Sequence, residues 1–375
     1  MSAAGYDAIV IGGGLHGLSV ALHLARRRKR VIVLERRYAG RHSSGINAGG
    51  VRRLGRDIRE IALSVIAMEM WHSIESLVGD DCGFVAGGQV KVAESDADMA
   101  KLARREAEVR ALGYDHEELV DQAELRRIVP AIAEHCVGAL VSRTDGAADP
   151  YRTTTAFRRA AVAAGAEIRE DDGVTGLERA NDLWQVTCAS GTIEAPAVVN
   201  CAGAWATRIA AMVGETIPCG VKASMMIVTE RMPTFVEPTV GATSRSLSFK
   251  QTAAGTVVIG GGHQGRCDVA AERSVVDFGN LAHAARIATE LFPVMRGVRI
   301  VRTWCGIEAR TADEIPFIGP SAVAPGLFHS FGYSGHGFQL APAAGAALAG
   351  LIATGSTNLP IAPFGVTRTS AAAVR

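Results

Sequence analysis

Two kinds of apolar pattern take turns along this chain. Runs that are apolar at nearly every position, at residues 6–11 (YDAIVI), Val31–Leu34, 197–206 (AVVNCAGAWA) and 326–331, read as strands buried on both faces. Between the first two, Leu18, Leu22 and Ala25 recur at helical spacing, and the basic run 26–30 closes that helix. The spacing predicts further helices at 153–164, 96–112, 121–128 and 276–291, the third opened by Asp121 with Glu124 three residues on, a capping box. Residues 173–179, 183–189 and 192–195 read as paired strands, and Gln89–Ala93, 246–251 and Thr256–Gly260 as strands of a second sheet. Residues of about 82–134 and 216–304 form a unit of their own, so the chain weaves between two domains rather than dividing once. The fold class is α/β (α+β).

Length agrees, since 375 residues at about 150 per domain give two domains, or one large one with an insertion. Hydrophobic residues are 48% and charged residues 21%, as in a chain with a buried core. Thirty-nine basic residues against 38 acidic ones leave a net charge of +1, which gives no electrostatic footprint for nucleic acid and no polybasic membrane patch. Seven widely spaced cysteines without a Cys-x-x-Cys pair read as reduced thiols and offer no metal or iron–sulfur site. The start lacks a signal peptide, and the longest apolar stretch, 340–354, falls short of the ~20 residues of a membrane span. The expected location is cytoplasmic.

The candidate chemistry begins after the first strand. Gly12, Gly14 and Gly17 fill a GxGxxG pattern around Leu15 and His16, and Glu35 ends the second strand. Gly12 permits the tight turn, Gly14 lets the backbone approach a pyrophosphate, and Gly17 lets helix and strand pack closely. The helix N-terminus presents unpaired N–H groups to the phosphates, and Glu35 accepts from ribose hydroxyls. Strand, glycines, helix, strand and acid together specify a dinucleotide, either NAD or FAD. The loop 41–53 (RHSSGINAGGVRR) shows no periodicity, and Gly332, Gly335 and Gly337 open a last helix whose N-terminus could face the same ligand.

These segments, with the stretch 304–320 (WCGIEARTADEIPFIGP) and the GYSGHGFQLAP of the last helix, resemble the D-amino-acid oxidase superfamily of FAD proteins. The likeness covers nearly the whole chain. It is to glycine oxidase, sarcosine oxidase and the β subunits of heteromeric D-hydroxyproline dehydrogenase, opine oxidase and sarcosine oxidase. It implies a Rossmann-like FAD-binding domain of residues 1–80, 135–215 and 305–375, and an interleaved β-sheet substrate domain of 81–134 and 216–304. It implies that residues 12–17, Glu35 and Arg36 hold the ADP half. Ser43, Ser44, Asn47, Ala48, Gly49 and Gly50 run beside the flavin, with Trp205 and Gly306 from the shared motifs. Val174 contacts the adenine side, Ala202 and Gly203 the pyrophosphate, and Gly332, Gly335, His336, Gly337, Phe338 and Gln339 the ring.

The implied reaction is oxidation of a secondary amine or an amino or imino acid of the D-hydroxyproline, D-proline, opine or sarcosine type to an imine, by hydride transfer to flavin N5. Negative charge then grows near N1, where the last helix N-terminus would stabilise it. Arg52 is the expected carboxylate anchor, since a planar guanidinium gives two parallel hydrogen bonds, and His263 is expected in the pocket. Glu308 stands where glycine oxidase has a carboxylate-binding arginine, and either meets an extra amino group of the substrate or pairs with Arg310. Gln339 replaces a lysine of monomeric sarcosine oxidase, and the strand 257–260 lacks that enzyme's oxygen-activating lysine. An extra residue separates Cys305 from the 311–313 element, so FAD is expected to be noncovalent. The missing lysine suggests a poor oxidase, the β subunit of a heteromeric dehydrogenase with a larger flavin-containing subunit and an iron–sulfur subunit. A second flavin at a subunit interface fits that arrangement. The alternatives are a noncatalytic flavin-carrying subunit, a stand-alone glycine or sarcosine oxidase-like enzyme and, less well supported by the last helix, an NAD dehydrogenase.

Overall fold

A computed structural model describes residues 5–368. Ala8–Ile11, buried at all four positions, lies inside a six-stranded sheet with Val31–Leu34 and Ala197–Asn200 parallel on either side. Leu327–Phe331 and the antiparallel edge strand Phe317–Pro320 extend it one way, and Glu167–Arg169 the other. The helices Leu15–Arg26, Pro150–Ala163, Ile58–His72 and Gly337–Thr354 share one core with one face of this sheet. A three-stranded antiparallel sheet (Val174–Ala180, Leu183–Cys188, Gly191–Ala195) covers the opposite face through Leu177, Trp184 and Val186.

The closest helix pairing joins Leu15–Arg26 to Gly337–Thr354. A Cβ on Gly345 would lie 2.1 Å from the Ser19 hydroxyl, so glycine is what permits the approach. Pro342 lies within the second of these helices, and the carbonyl of Ala341 accepts from Ser19 Oγ at 2.8 Å. Gly337–Thr354 is long and apolar enough by composition to cross a membrane, but most of it is buried within the protein.

The second layer is an eight-stranded sheet. Its order is Ile300–Thr311, Cys219–Arg231, Thr256–Gly260, Ser248–Gln251, Thr239–Ala242, Gln89–Ala93, Gly138–Ser142 and Glu118–Asp121. Phe249, Val257, Ile259, Val90 and Val92 pack one face against the helix Phe278–Leu291. The other face is left to line a cavity.

Gln89–Ala93 and Thr256–Gly260 fold with the bounds their patterns predict. The helices at 96–111 and 278–291 begin within two residues of expectation. Asp121 does cap its helix, accepting from Glu124 N at 2.8 Å, but the Glu124 side chain turns to Arg143 and does not close the box. The expected domain limits shift. Gly138–Ser142 and Ile300–Thr311 are strands of the eight-stranded sheet, where 135–215 and 305–375 were assigned to the FAD-binding part; both pair along their length with strands of the other domain. Residues 1–4 and 369–375 of the expected FAD-binding segments lie outside the described residues.

Candidate functional site

A cavity of about 400 Å³ runs across the ends of the parallel strands. One end is walled by Glu35, Arg36 and Val174, its middle by Gly12, Gly14, Leu15, Ala202, Gly203 and Trp205, and the other end by Gly332, Gly335, Gly337 and Phe338. Gly12 has φ +107°, and a Cβ there would lie 2.5 Å from the carbonyl of Cys201, while one on Gly17 would lie 2.0 Å from the carbonyl of Gly12. The glycines therefore hold loop, strand and helix at contact distance. The N-cap residue Gly14 supplies no side-chain cap to the helix Leu15–Arg26 and its first turn holds no acid, so the positive end of the helix favours an anion. Glu35 is fixed on the wall by Gly13 N at 2.7 Å and Arg37 N at 2.9 Å. Its remaining lone pairs can accept from ribose hydroxyls.

Two helix N-termini thus look into one elongated cavity with an acid at its far end. Ser44 Oγ accepts from Leu15 N at 2.9 Å and Ser43 Oγ donates to the carbonyl of Ile307 at 2.7 Å, tying the 43–50 segment to both layers. That segment is a short helix, Ser43–Ile46, and a two-residue strand, Gly50–Val51, rather than a plain loop. His16 stacks on Tyr333 with ring centres 3.6 Å apart, and burial pushes its pKa down to about 3. His16 is therefore neutral in the physiological range. His336, the residue before the last helix, places Nδ1 3.3 Å from Oε1 of the buried Glu60, and burial lowers its pKa too. An elongated cavity with two helix N-termini and an acid fits a dinucleotide such as FAD.

A second cavity, of about 610 Å³, meets the first at Ser43, Asn47, Glu308 and Gly335 and opens over the eight-stranded sheet. Ala48, Gly49, Gly50, Arg52, Gly306 and Arg310 line it. Asn47 Oδ1 accepts from Gly49 N at 2.7 Å and fixes that turn. Glu308 does not pair with Arg310. The register sets Glu308 opposite Lys222, whose Nζ is 3.4 Å away, and the Ser224 hydroxyl also donates to it. Arg310 pairs with Glu314 at 3.0 Å. The physical reason is strand geometry: residues two apart share a face, but the cross-strand neighbour is nearer.

Two expected substrate-side residues turn away. Gly261 and Gly262, at φ +110° and +95°, reverse the chain so that His263 sends Nε2 to the carbonyl of Ser246 at 3.0 Å and its ring toward His283. Gln339 is wholly buried; its carboxamide joins Ser64 and Arg56 of the neighbouring helix region, so it braces the last helix. Cys305 points its Sγ to the carbonyl of Ala223, 3.2 Å away.

Three lysines that the sequence pattern did not single out stand at this site: Lys91, Lys222 and Lys250. Lys250 is paired in register with Val258, and its Nζ lies 2.9 Å from where a Cβ on Gly49 would be. A lysine thus stands on the strand adjacent to 257–260. Burial pushes the Lys250 pKa down to about 8, with Asp149 only partly offsetting it. One signal was available. Only five of the 39 basic residues are lysines, and three of the five are here.

Comparison with known proteins assigns the chain. A family model described as DAO, FAD dependent oxidoreductase, matches residues 7–351. The chain belongs to the DAO family of FAD-dependent oxidoreductases. Within the family, it is 26% identical over 371 residues to a glycine oxidase of Geobacillus kaustophilus, covering 97% of each chain. It is 27% identical to a sarcosine oxidase subunit beta of Rhizobium meliloti, covering 97% of this chain and 88% of that one. Among solved structures, an L-proline dehydrogenase from P. horikoshii superposes with a TM-score of 0.92 at 28% identity over 98% of both chains. Like these relatives, this DAO-family chain is an FAD-dependent enzyme that oxidises an amine or amino acid.

Proposed function

We propose that the substrate is a carboxylate-bearing secondary amine or imino acid, of the proline, hydroxyproline, opine or sarcosine type, and that FAD is held noncovalently. FAD supplies the hydride acceptor. The observation that carries the reading is Arg52. It lines the second cavity and its guanidinium donates to the carbonyl of Leu54; among the described residues no carboxylate lies within ion-pair distance of it. A half-buried guanidinium without an ion-pair partner is a receptor for a carboxylate. Its backbone carbonyl accepts from Arg56 Nε at 3.0 Å, which fixes where the side chain starts.

The deciding experiment is anaerobic bleaching of the flavin absorbance by a panel of imino acids, N-methyl amino acids and opines. Bleaching by at least one is expected, and acid precipitation should release FAD into the supernatant. A flavin that no member reduces overturns the substrate class, and flavin retained in the pellet overturns noncovalent binding. Arg52→Ala should lower kcat/KM by about ten- to a hundredfold, the worth of one charge-assisted contact, with FAD content unchanged. Full activity in that variant would move the anchor elsewhere.

The relatives that are β subunits favour a place in a heteromeric dehydrogenase, with a larger flavin-containing subunit and an iron–sulfur subunit as partners. Lys250 favours a second reading, a single-chain oxidase. A fixed cation beside the 43–50 segment would stabilise the negative charge that develops when oxygen takes the electrons. Native purification followed by oxygen-uptake measurement separates the two: co-purifying subunits and slow uptake fit the first, a lone chain with fast uptake the second.

A further inference from the structure

Six basic residues stand on the wall of the second cavity: Arg52, Arg56, Lys91, Lys222, Arg245 and Arg310. Four are already answered. Lys222 has Glu308, Arg310 has Glu314, Arg245 has Glu94 and Glu290, and Arg56 stands 4.0 Å from Glu60. Arg52 and Lys91 are not, among the described residues.

Lys91 is the middle residue of Gln89–Ala93. Val90 and Val92 on either side of it point into the core beneath the sheet, so alternation sends Lys91 to the cavity face. Its Nζ lies 3.9 Å from where a Cβ on Gly55 would be, and Nη1 of Arg52 lies the same 3.9 Å from that point. Two cations therefore converge over one glycine, from two different domains. Glu117, an acid whose charge acts on both, is engaged: it takes Nε and Nη2 of Arg105, at 2.9 and 3.0 Å, and Gly55 N at 2.7 Å. Burial and the neighbouring Arg52 both lower the Lys91 pKa. Such a pair is costly to keep without an anion between the charges.

We propose that Lys91 and Arg52 form a two-pronged clamp for the substrate carboxylate, so that the acid group of the substrate sits against Gly55 and the strand Gln89–Ala93. This rests on the carboxylate-bearing substrate proposed above and names the second group that binds it. It also accounts for Gln339, because the second cation comes from the sheet and not from the last helix.

The test uses the FAD-loaded protein and a ligand that cannot be oxidised, pyrrole-2-carboxylate, with the uncharged pyrrole-2-carboxamide as its control, both followed by isothermal titration calorimetry. The wild type should bind the acid more tightly than the amide. Lys91→Met should weaken the acid by about ten- to a hundredfold and leave the amide within twofold, and Lys91→Arg should recover most of the loss. In an Arg52→Ala background the same Lys91→Met change should cost less than in the wild type, because the two cations share one anion. Equal weakening of acid and amide, no weakening at all, or a wild type that does not prefer the acid overturns the clamp. Should Lys91→Met not fold, Lys91→Gln is judged by the same ratio of acid to amide. Flavin reduction by an imino acid alongside unchanged acid binding in Lys91→Met would defeat the clamp alone. A flavin that no carboxylated amine reduces would defeat the functional reading, and acid-selective binding that depends on Lys91 would still stand.

Discussion

Gly17→Ala should abolish tight FAD binding. The added methyl would lie 2.0 Å from the carbonyl oxygen of Gly12 and 3.2 Å from Val10 Cγ1. The loop is tied in place, because Gly12 N donates to the Leu34 carbonyl at 2.9 Å and the Gly12 φ of +107° suits glycine. Relief must come from moving the helix Leu15–Arg26 off the strand, and its N-terminus away from the dinucleotide. Overpacking of this kind costs about 1–3 kcal/mol, occasionally more. Displacing the phosphate-facing amides adds to that, so a fall in FAD affinity of at least about a hundredfold, near 3 kcal/mol, is expected. Quenching of FAD fluorescence by the cofactor-free protein measures it, and an unchanged Kd would show that the close approach at Gly17 has no part in holding FAD.

Lys250→Met should make the cofactor-free protein more stable at neutral pH. A lysine titrates near 10.5 when unfolded, and burial brings Lys250 to about 8. Below pH 8 the folded chain holds a buried ammonium whose hydrogen bond, among the described residues, goes to the Ala148 carbonyl at a long 3.5 Å. The downward shift is worth at most about 3 kcal/mol against folding. Between pH 8 and 10.5 the unfolded state binds more protons than the folded one, so wild-type stability rises with pH there and the advantage of methionine fades. Thermal unfolding of both chains at pH 7 and pH 10 reads this out. A methionine variant that is less stable at pH 7 would mean that Lys250 is held by a partner, not stored at a cost. A group kept at such a cost is a candidate for function.

The sequence makes the cofactor-binding half legible and leaves much of the substrate half unread, for a physical reason. Strand, glycines, helix and acid lie within residues 8–35, so their chemistry is a matter of local spacing. The substrate wall is a matter of register. Lys222 acquires meaning only opposite Glu308, Lys250 only opposite Val258, and Lys91 only where Arg52 arrives from another domain. The helix Ile58–His72 also escapes, because it buries Glu60 and Ser64 on the face that carries Ile61, Leu63 and Trp71, which blurs its period. The long strands Cys219–Arg231 and Ile300–Thr311 escape because their cavity-facing positions are neither regularly apolar nor regularly polar. His263 and Gln339 mark the opposite failure. Their positions match a pattern, but two glycine-driven turns and a helix–helix contact decide where the side chains go.

The interleaving has a consequence for how the molecule is made. Leu327–Phe331 must pair with Ala197–Asn200, and Gly337–Thr354 must settle on Leu15–Arg26, before both ends of the dinucleotide cavity exist. The glycine fingerprint leaves the ribosome long before the helix Gly337–Thr354, and has no partner for its flavin end until residue 354 has followed. During synthesis the early helix waits with its apolar face uncovered. Closure of the cofactor cavity therefore waits for the helix Gly337–Thr354, and a scarcity of FAD in the cell would be felt by an open chain, at risk of proteolysis and aggregation at the step where these two helices meet.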